Sequence, residues 1–588
     1  MSGRFGPLWR RGEGVTFRLW APAAAKVELI IGGEAVAMAA CSGGWYELVQ
    51  PKAGPGTRYS FRVDDRIEVP DPASHFQPDD VHGPSEVIGH DYAWTARDWR
   101  GRPWHEAVFL ETHVGTFTPD GTFRAMIEKL DHVAATGITA IELMPVADFP
   151  GRRSWGYDGV LLFAPDSAYG RPEDLKSLVD AAHQRGLMVF LDVVYNHFGP
   201  EGNYLGQYAP QFFTSHHTTP WGDAIDYRVP QVRQFVIDNA LHWLERYRFD
   251  GLRLDAVHAL VEPGEPSILT DLSQAVGVYA AQSGRHIHLV LENDDNCAAF
   301  LDPNREPPAG KYRAQWNDDY HHAWHALLTK ESHGYYRDYH EPRRQIARSL
   351  AEGFVYQGEP SEYRKGAARG ERSGDLPPTA FVNFVQNHDQ IGNRACGDRL
   401  ETLAPSPAVE AALAVLLIAP MPPLMFMWEE WGAWHPFPFF CDFHDALAEA
   451  VRQGRRREFA EAYADSSLEV PDPLSDATFK SAVLDWAVPE HDRHRRRLDL
   501  VRDLLRVRRN EIVPRLDGLT KAEASAEFAG DVLQARWRLA DGSLLRLLAD
   551  LSDRESARPS GYAGKPIWGG EPPTSLSPWS VYWAIGGG

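Results

Sequence analysis

The sequence predicts an α/β protein: a (β/α)8 TIM barrel with a β domain at each end. Three observations lead there. From about residue 105 onward, apolar strand-like runs alternate with longer helical stretches, the pattern of a parallel sheet whose outer face helices cover. About eight such units follow one another, which suits a closed barrel better than an open sheet. At both ends of the chain, short segments with partial apolar/polar alternation are punctuated by Gly and Pro, as in antiparallel β structure. The expected units are residues 1–92, 93–516 with a short insertion after the third barrel strand, and 517–588.

In chain order, "GVTFRLWAP", "AKVELII" and "RYSFRV" are the clearest strands of the first unit, and the Pro-rich "VPDPASHFQPDDVHGP" marks its end. The barrel strands are expected in "AVFLETH", "ITAIELMPV", "LMVFLDVVYNH", "FDGLRLDAV", "IHLVLEN", "KYRAQW", "TAFVNFVQNHD" and "PLMFMWEE". Between the third and fourth, Val232, Phe235, Val236, Trp243, Leu244 and Tyr247 recur at i, i+3/i+4 spacing and predict an amphipathic helix. An Arg- and Leu-rich helix, "HRRRLDLVRDLLRVRRNEI", closes the barrel region. Beyond it, "FAGDVLQARWRLA", "GSLLRLLADLS" and "WSVYWAI" read as a small β domain.

Composition narrows the function. With 588 residues and 43% hydrophobic content the chain can bury several cores. A net charge of −21 argues against nucleic acid, whose binding rests on neutralised phosphates, and is compatible with an uncharged ligand. The 19 Trp and 21 Tyr supply many flat faces of the kind that hold sugar rings. No apolar run has the length of a membrane span, no secretory signal is expected at "MSGRFGPLWRRGEG", and Cys41, Cys297, Cys396 and Cys441 lack metal-ligand or redox spacing. A cytoplasmic protein with reduced thiols and no membrane partner is the expectation.

Several expected strands begin apolar and end polar. "FLDVVYNH" carries Asp192, Asn196 and His197; "GLRLDAVH" carries Arg253, Asp255 and His258; "LVLEN" ends at Glu292; "FVQNHD" ends at His388 and Asp389. In a barrel these C-terminal strand ends form one rim, where active sites assemble. Charges inside a core are costly unless paired or used, and like charges in one cleft raise one another's pKa, which acid/base catalysis exploits. Glycoside cleavage needs such a set: a carboxylate nucleophile, a carboxylic acid beside it and further groups around the sugar. Arg253 and Asp255, at alternate positions of one strand, point the same way, so that the arginine would keep the carboxylate ionised.

At these residues the sequence resembles the α-amylase family of glycoside hydrolases and transglycosylases. Four of that family's motif regions occur in order, as "DVVYNH" (192–197), "GLRLDAVH" (251–258), "LEN" (291–293) and "FVQNHD" (384–389). The resemblance implies Asp255 as nucleophile, Glu292 as general acid/base and Asp389 as the third acid, gripping sugar hydroxyls in subsite −1. It implies that Arg253 orients Asp255, that Asp192, His197 and His388 line the same subsite, and that Tyr157 of "WGYDGV" is the platform under the sugar. It also implies that the first unit is an immunoglobulin-like β-sandwich and the last an antiparallel β domain.

"ETHVGTFTPDGTF" (111–123), "DPASHFQPDDVHGPSEV" (71–87), "QWNDDYHHAWHALLT" (315–329) and "AVRQGRRREF" (450–459) resemble a subgroup of that family. Its members cut the α-1,4 bond between a malto-oligosaccharide and a terminal trehalose, after a separate maltooligosyl trehalose synthase has built that end. His258, Asp295, Trp316 and Asp318, the last two expected on a neighbouring rim loop, are candidates for holding the trehalose in subsites +1 and +2; loop turns and caps are the alternative for His258, Asp295 and Asp318. One departure from the family is Trp428 in "FMWEEWG", where a small residue is expected. Glycogen branching or debranching chemistry remains open beside trehalose release, as does a non-catalytic glucan-binding protein, although all three acids are present. No cofactor and no metal is expected: the excursion after the third strand holds few acids before Asp223, and adjacent His216 and His217 point apart.

Overall fold

The computed structural model describes residues 5–219, 222–260, 267–302, 312–460, 464, 468–487, 491–521 and 523–587. Its centre is a sheet of eight parallel strands: β1 (Phe109–Thr112), β2 (Ala140–Leu143), β3 (Met188–Val193), β4 (Gly251–Leu254), β5 (His288–Leu291), β6 (Ala314–Trp316), β7 (Phe381–Val382) and β8 (Leu424–Phe426). From β1 to β7 each strand pairs with the next in sequence, and β8 pairs with β1. A parallel bridge between Asn383 and Pro423 closes the ring between β7 and β8. The expected (β/α)8 barrel is therefore present.

Side chains alternate in and out along each strand, so every second residue fills the barrel. The lower interior is packed by Phe109, Ala140, Met188, Phe190, Val290, Ala314, Trp316, Val382, Phe384 and Leu424. Gly251 starts β4 because a Cβ there would lie 2.2 Å from the Phe190 ring and 2.5 Å from the His288 carbonyl oxygen. Above this apolar plug the inward positions become charged: Glu111 on β1, Glu142 on β2, Asp192 on β3 and Arg253 on β4, all buried. The strands are shorter than the apolar runs in the sequence, because the chain leaves the ladder once it reaches the rim.

The amphipathic helix expected before β4 runs Pro230–Arg246 and buries Val232, Phe235, Val236, Trp243 and Leu244. Each contributes about 1.5–3 kcal/mol by leaving water. The Arg- and Leu-rich helix runs Asp492–Val507. Trp428, the departure near β8, is fully buried in a left-handed backbone conformation (φ 75°), and its ring lies 5.0 Å from the Arg399 guanidinium.

The N-terminal unit is a β-sandwich with one four-stranded and one five-stranded antiparallel sheet. Phe17 of one sheet meets Tyr59 of the other at 4.6 Å between ring centroids. Phe5 and Trp20 carry this unit onto the barrel through Phe235 and Phe212. The C-terminal unit is a five-stranded antiparallel sheet with a separate two-stranded ribbon. "FAGDVLQARWRLA" spans parts of two of its strands, Ala524–Ala529 and Val532–Arg538, hinged at Gly530. Trp537 and Trp583 stack, and their indole N–H groups donate to the carbonyls of Leu350 and Ala414 on the barrel's outer helices.

Candidate active site

Arg253 organises the upper barrel. One terminal nitrogen lies 2.6 Å from Asp192 Oδ2 and 2.9 Å from Asp255 Oδ1; the other lies 3.1 Å from Glu292 Oε2. Its side chain is only 3% exposed, and the guanidinium sits 4.2 Å from the centre of the Trp316 ring. A buried cation without partners would be strongly destabilising; three carboxylates and an aromatic face below it supply the compensation.

The remaining oxygens are held from neighbouring segments. Asn196 Nδ2 donates to Asp255 Oδ2 at 2.8 Å and to the Asp255 carbonyl at 3.0 Å. The backbone N–H of Ala256 donates to Glu292 Oε2 at 2.6 Å. Ala256 has a left-handed φ of 40°, so a non-glycine residue beside Asp255 carries backbone strain of the kind found at functional sites. The Tyr157 hydroxyl donates to Asp192 Oδ2 at 2.6 Å. Gly156, at φ 98°, permits this approach, since a Cβ there would lie 2.0 Å from the Pro145 carbonyl oxygen. His197 meets the Tyr157 carbonyl through Nε2 and the Asn196 side chain through Nδ1. His388 stacks on the Tyr157 ring at 5.2 Å, and Glu111 accepts from its backbone N–H and faces its Nδ1. Asp389 is exposed in the cleft, where Asn393 Nδ2 donates to it.

Burial and charge separate these groups electrically. Burial drives the Glu292 carboxyl well above its usual range; Arg253 opposes this, and the Asp255 and Asp318 charges reinforce it. Burial likewise lifts Asp192 to about 6, against the pull of Arg253. Asp318 rises to about 7 through burial and the neighbouring Asp294 and Asp389 charges. Asp389 is also raised, by surrounding protein, although His388 and Arg253 counteract it. The set thus holds a carboxylic acid, Glu292, next to an ion-paired carboxylate, Asp255, on one guanidinium.

The other wall of the cleft comes from the long connection after β6, through Tyr335, Tyr339, Tyr363, Arg364 and Arg369. Arg364 pairs with Asp294 (2.5 Å) and Asp295 (2.6 Å), and Arg369 pairs with Asp294 (2.9 Å) and buried Asp319 (2.7 Å). Sequence reasoning missed this wall; its signal was the tyrosine run "GYYRDYH" and the Asp294–Asp295 pair, which needed cationic partners. It also gave no role to Glu111, although an acid inside an apolar strand was there to read.

Two expectations for the plus side need correction. Trp316 is not on a rim loop: it ends β6, is 1% exposed and supports Arg253 from below with one ring face, while still contributing to the lining of the cleft. Asp295 points to Arg364 with its side chain 56% exposed, and Asp294 takes its expected place on the cleft wall. Asp318 does line the cleft, as the first residue of the helix Asp318–Thr329, and accepts from Gln390 Nε2 at 3.2 Å. His258 lines it as well, with Nδ1 accepting from the Asp294 backbone N–H at 3.2 Å.

Among the described residues no three of His, Cys, Asp and Glu gather as a metal site. The side chains of His216 and His217 lie outside the described residues. Asn196 Nδ2 is committed to Asp255, through both its carbonyl and its carboxylate. Among the described residues no helix is long and apolar enough to cross a membrane.

Comparison with known proteins gives the class first. Residues 94–210 match the alpha amylase catalytic domain, residues 4–74 match carbohydrate-binding module 48 (isoamylase N-terminal domain), and residues 521–583 match DUF3459, a domain of unknown function. The barrel with its rim of acids is an α-amylase-type catalytic domain.

The particular group follows from whole-chain similarity. The chain is 43% identical over 527 residues to the malto-oligosyltrehalose trehalohydrolase of Deinococcus radiodurans, covering 89% of this chain and 86% of that one. It is 40% identical over 481 residues to the protein of that name from Saccharolobus solfataricus, covering 81% and 82%. The chain belongs to the malto-oligosyltrehalose trehalohydrolase family. A crystal structure from Salmonella typhimurium, provisionally described as an alpha amylase, superposes over the whole of both chains with a TM-score of 0.94 and 43% identity. A pullulanase from Paenibacillus barengoltzii shares the fold at 18% identity, with a TM-score of 0.73 over 99% of this chain and 94% of that one.

Proposed function

We propose that the protein hydrolyses the α-1,4-glucosidic bond next to the terminal trehalose of a maltooligosyl trehalose, releasing trehalose and a malto-oligosaccharide. The observation that carries the chemistry is the shared grip of Arg253 on Asp255 and Glu292. Two carboxyl groups on one guanidinium suit the short spacing, about 5–5.5 Å, of a retaining mechanism, in which the nucleophilic carboxylate attacks the sugar directly with no water between them.

Asp255, paired with Arg253 and aimed by Asn196, attacks the anomeric carbon. Glu292, protonated because burial disfavours its charge, gives its proton to the departing glycosidic oxygen. A water then enters, Glu292 removes its proton, and the glycosyl–Asp255 ester is cleaved with net retention. Asp389 and His388 take the hydroxyls of the −1 sugar, with Asp192 and His197 holding Arg253, Tyr157 and Asn196 in place and the Tyr157 ring as the platform. The trehalose faces the wall bearing His258, Asp318, Asp294 and the tyrosines. A cytoplasmic synthase acting on the reducing end of glucans would supply the substrate.

Product analysis tests the reading. Maltotetraosyl trehalose should yield free trehalose and maltotetraose rapidly, while maltohexaose is cut slowly. Mixed oligosaccharides from both substrates at equal rates would leave only the family-level chemistry standing, and new α-1,6 linkages would favour branching.

A further inference from the structure

We infer that Glu111, on β1, is a positioning residue for this reaction: it fixes His388 from behind and makes it a donor at both ring nitrogens. The inference rests on the reading above of the cleft as a glycosidase site. It begins with two contacts across 277 residues of chain. The His388 backbone N–H donates to Glu111 Oε2 at 3.0 Å, and His388 Nδ1 bonds to Oε1 of the same carboxylate. Both side chains are almost fully buried, His388 at 4% and Glu111 at 1% exposure. A bidentate hold on backbone and ring together fixes where the imidazole stands and how it is rotated about Cα–Cβ.

The chemistry at the other nitrogen then follows. A carboxylate only accepts hydrogen bonds, so Nδ1 carries a hydrogen. In the neutral ring that tautomer leaves a lone pair on Nε2; in the charged ring Nε2 carries an N–H. The surroundings decide between them. Burial opposes charge on His388, but the Glu111 carboxylate outweighs it, with Asp389 assisting and Arg253 opposing, and the pKa lies above the ordinary value. Tyr157 stacks on the ring from the segment after β2. His113, from the segment after β1, has its own pKa pushed down to about 4 by burial, with His388 adding to the effect, so it adds no second cation. Glu142 faces Glu111 in register on β2; among the described residues its oxygens have no hydrogen-bond partner, and burial with the Glu111 charge drives its pKa well up. A protonated Glu142 leaves Glu111 as the carboxylate nearest the imidazolium. His388 thus offers an N–H to a hydroxyl of the −1 sugar while Asp389 accepts from one, a pairing that distinguishes the ring's hydroxyls by direction.

The test is the pH dependence of kcat and KM for E111Q beside wild type, with H388N and the double variant completing a cycle. E111Q keeps the shape and removes the charge. Its kcat should fall by about 10- to 100-fold, as for other small misplacements of a reacting group, with little change in KM. The alkaline limb of its profile should move to lower pH. In the H388N background the same change should cost almost nothing further, since Glu111 acts through His388. E111D, which retains the charge on a shorter arm, should lose kcat but keep the wild-type limb, and it carries the test if E111Q does not fold. An unshifted limb in E111Q, or an equal loss with and without His388, would overturn the inference. Wild type that leaves trehalose-capped glucan intact but cuts maltohexaose would overturn the substrate instead, and the cycle is then read on maltohexaose.

Discussion

The two walls of the cleft are built on different physical terms. The wall bearing Asp192, Arg253, Asp255 and Glu292 stands on strand ends, and its central ion pairs involve an arginine that is 3% exposed. The opposite wall hangs from the connection after β6, where Arg364 is 23% exposed and its partners Asp294 and Asp295 are 43% and 56% exposed. Charges inside the barrel interact strongly and cannot rearrange without unfolding a strand, whereas exposed pairs are screened and weak. Bond cleavage requires fixed geometry within fractions of an ångström, and the residues proposed for it sit on the strands; the wall proposed to face the leaving group is loop-borne and tolerates adjustment. Arg369 anchors the loop-borne wall, because it reaches both Asp294 at the cleft and fully buried Asp319.

The comparison can be broken most sharply at Asp255. Asp255→Asn should lower turnover by about 10⁴-fold or more, since an amide is a poor nucleophile, while the melting temperature stays close to wild type. Substantial residual hydrolysis would remove Asp255 from its role. Glu292→Gln should cost about 10²–10⁴-fold on glucan substrates and far less on an aryl glucoside whose leaving group needs no proton; equal losses on both would make Glu292 a positioning group.

On the looser wall the effects should shrink and change character. Arg369→Met strands the buried Asp319 without its cation and should destabilise the fold by about 3 kcal/mol, read as a lowered denaturation midpoint. Arg364→Ala breaks half-exposed pairs and one hydrogen bond to the Asp294 carbonyl, so stability should change by about 1 kcal/mol. Its expected signature is a raised KM for maltotetraosyl trehalose with kcat on maltohexaose unaltered; a collapse of kcat on both would mean that the wall is part of the catalytic machinery.

The smallest effect concerns pH. Glu292 must hold its proton to act, and its pKa is raised by burial, with the Asp318 charge among the contributors. The acid form is therefore present below that pKa and lost as pH rises through it, on the same alkaline side as the loss of charge on His388. Asp318→Asn removes one like charge, so the alkaline limb should move to lower pH by less than about one unit; a shift to higher pH would contradict this sign.

Much of the catalytic wall was legible because its residues are chemically conspicuous where they stand. Arg253 and Asp255 interrupt an apolar run at alternate positions, and Glu292 and Asp389 end two others. The local rule that strands alternate, with the rule that barrels act at their C-terminal rim, places such residues together without further information. The sequence by itself therefore determined the barrel, its flanking β units and the four strands that converge.

Only the tertiary structure decided what depends on contacts between distant segments. Trp316 looks like a sugar platform in "QWNDD", yet Arg253, 63 positions earlier, covers one of its faces. Glu111 is one acid in "FLET" until β7 delivers His388 against it. Arg364 and Arg369 are two cations in a Gly-rich stretch until the chain folds back over Asp294. Periodicity reports which face of an element is buried, because burial is a local property of the pattern. It does not report which other segment meets that face, since that is set by the packing of the whole chain.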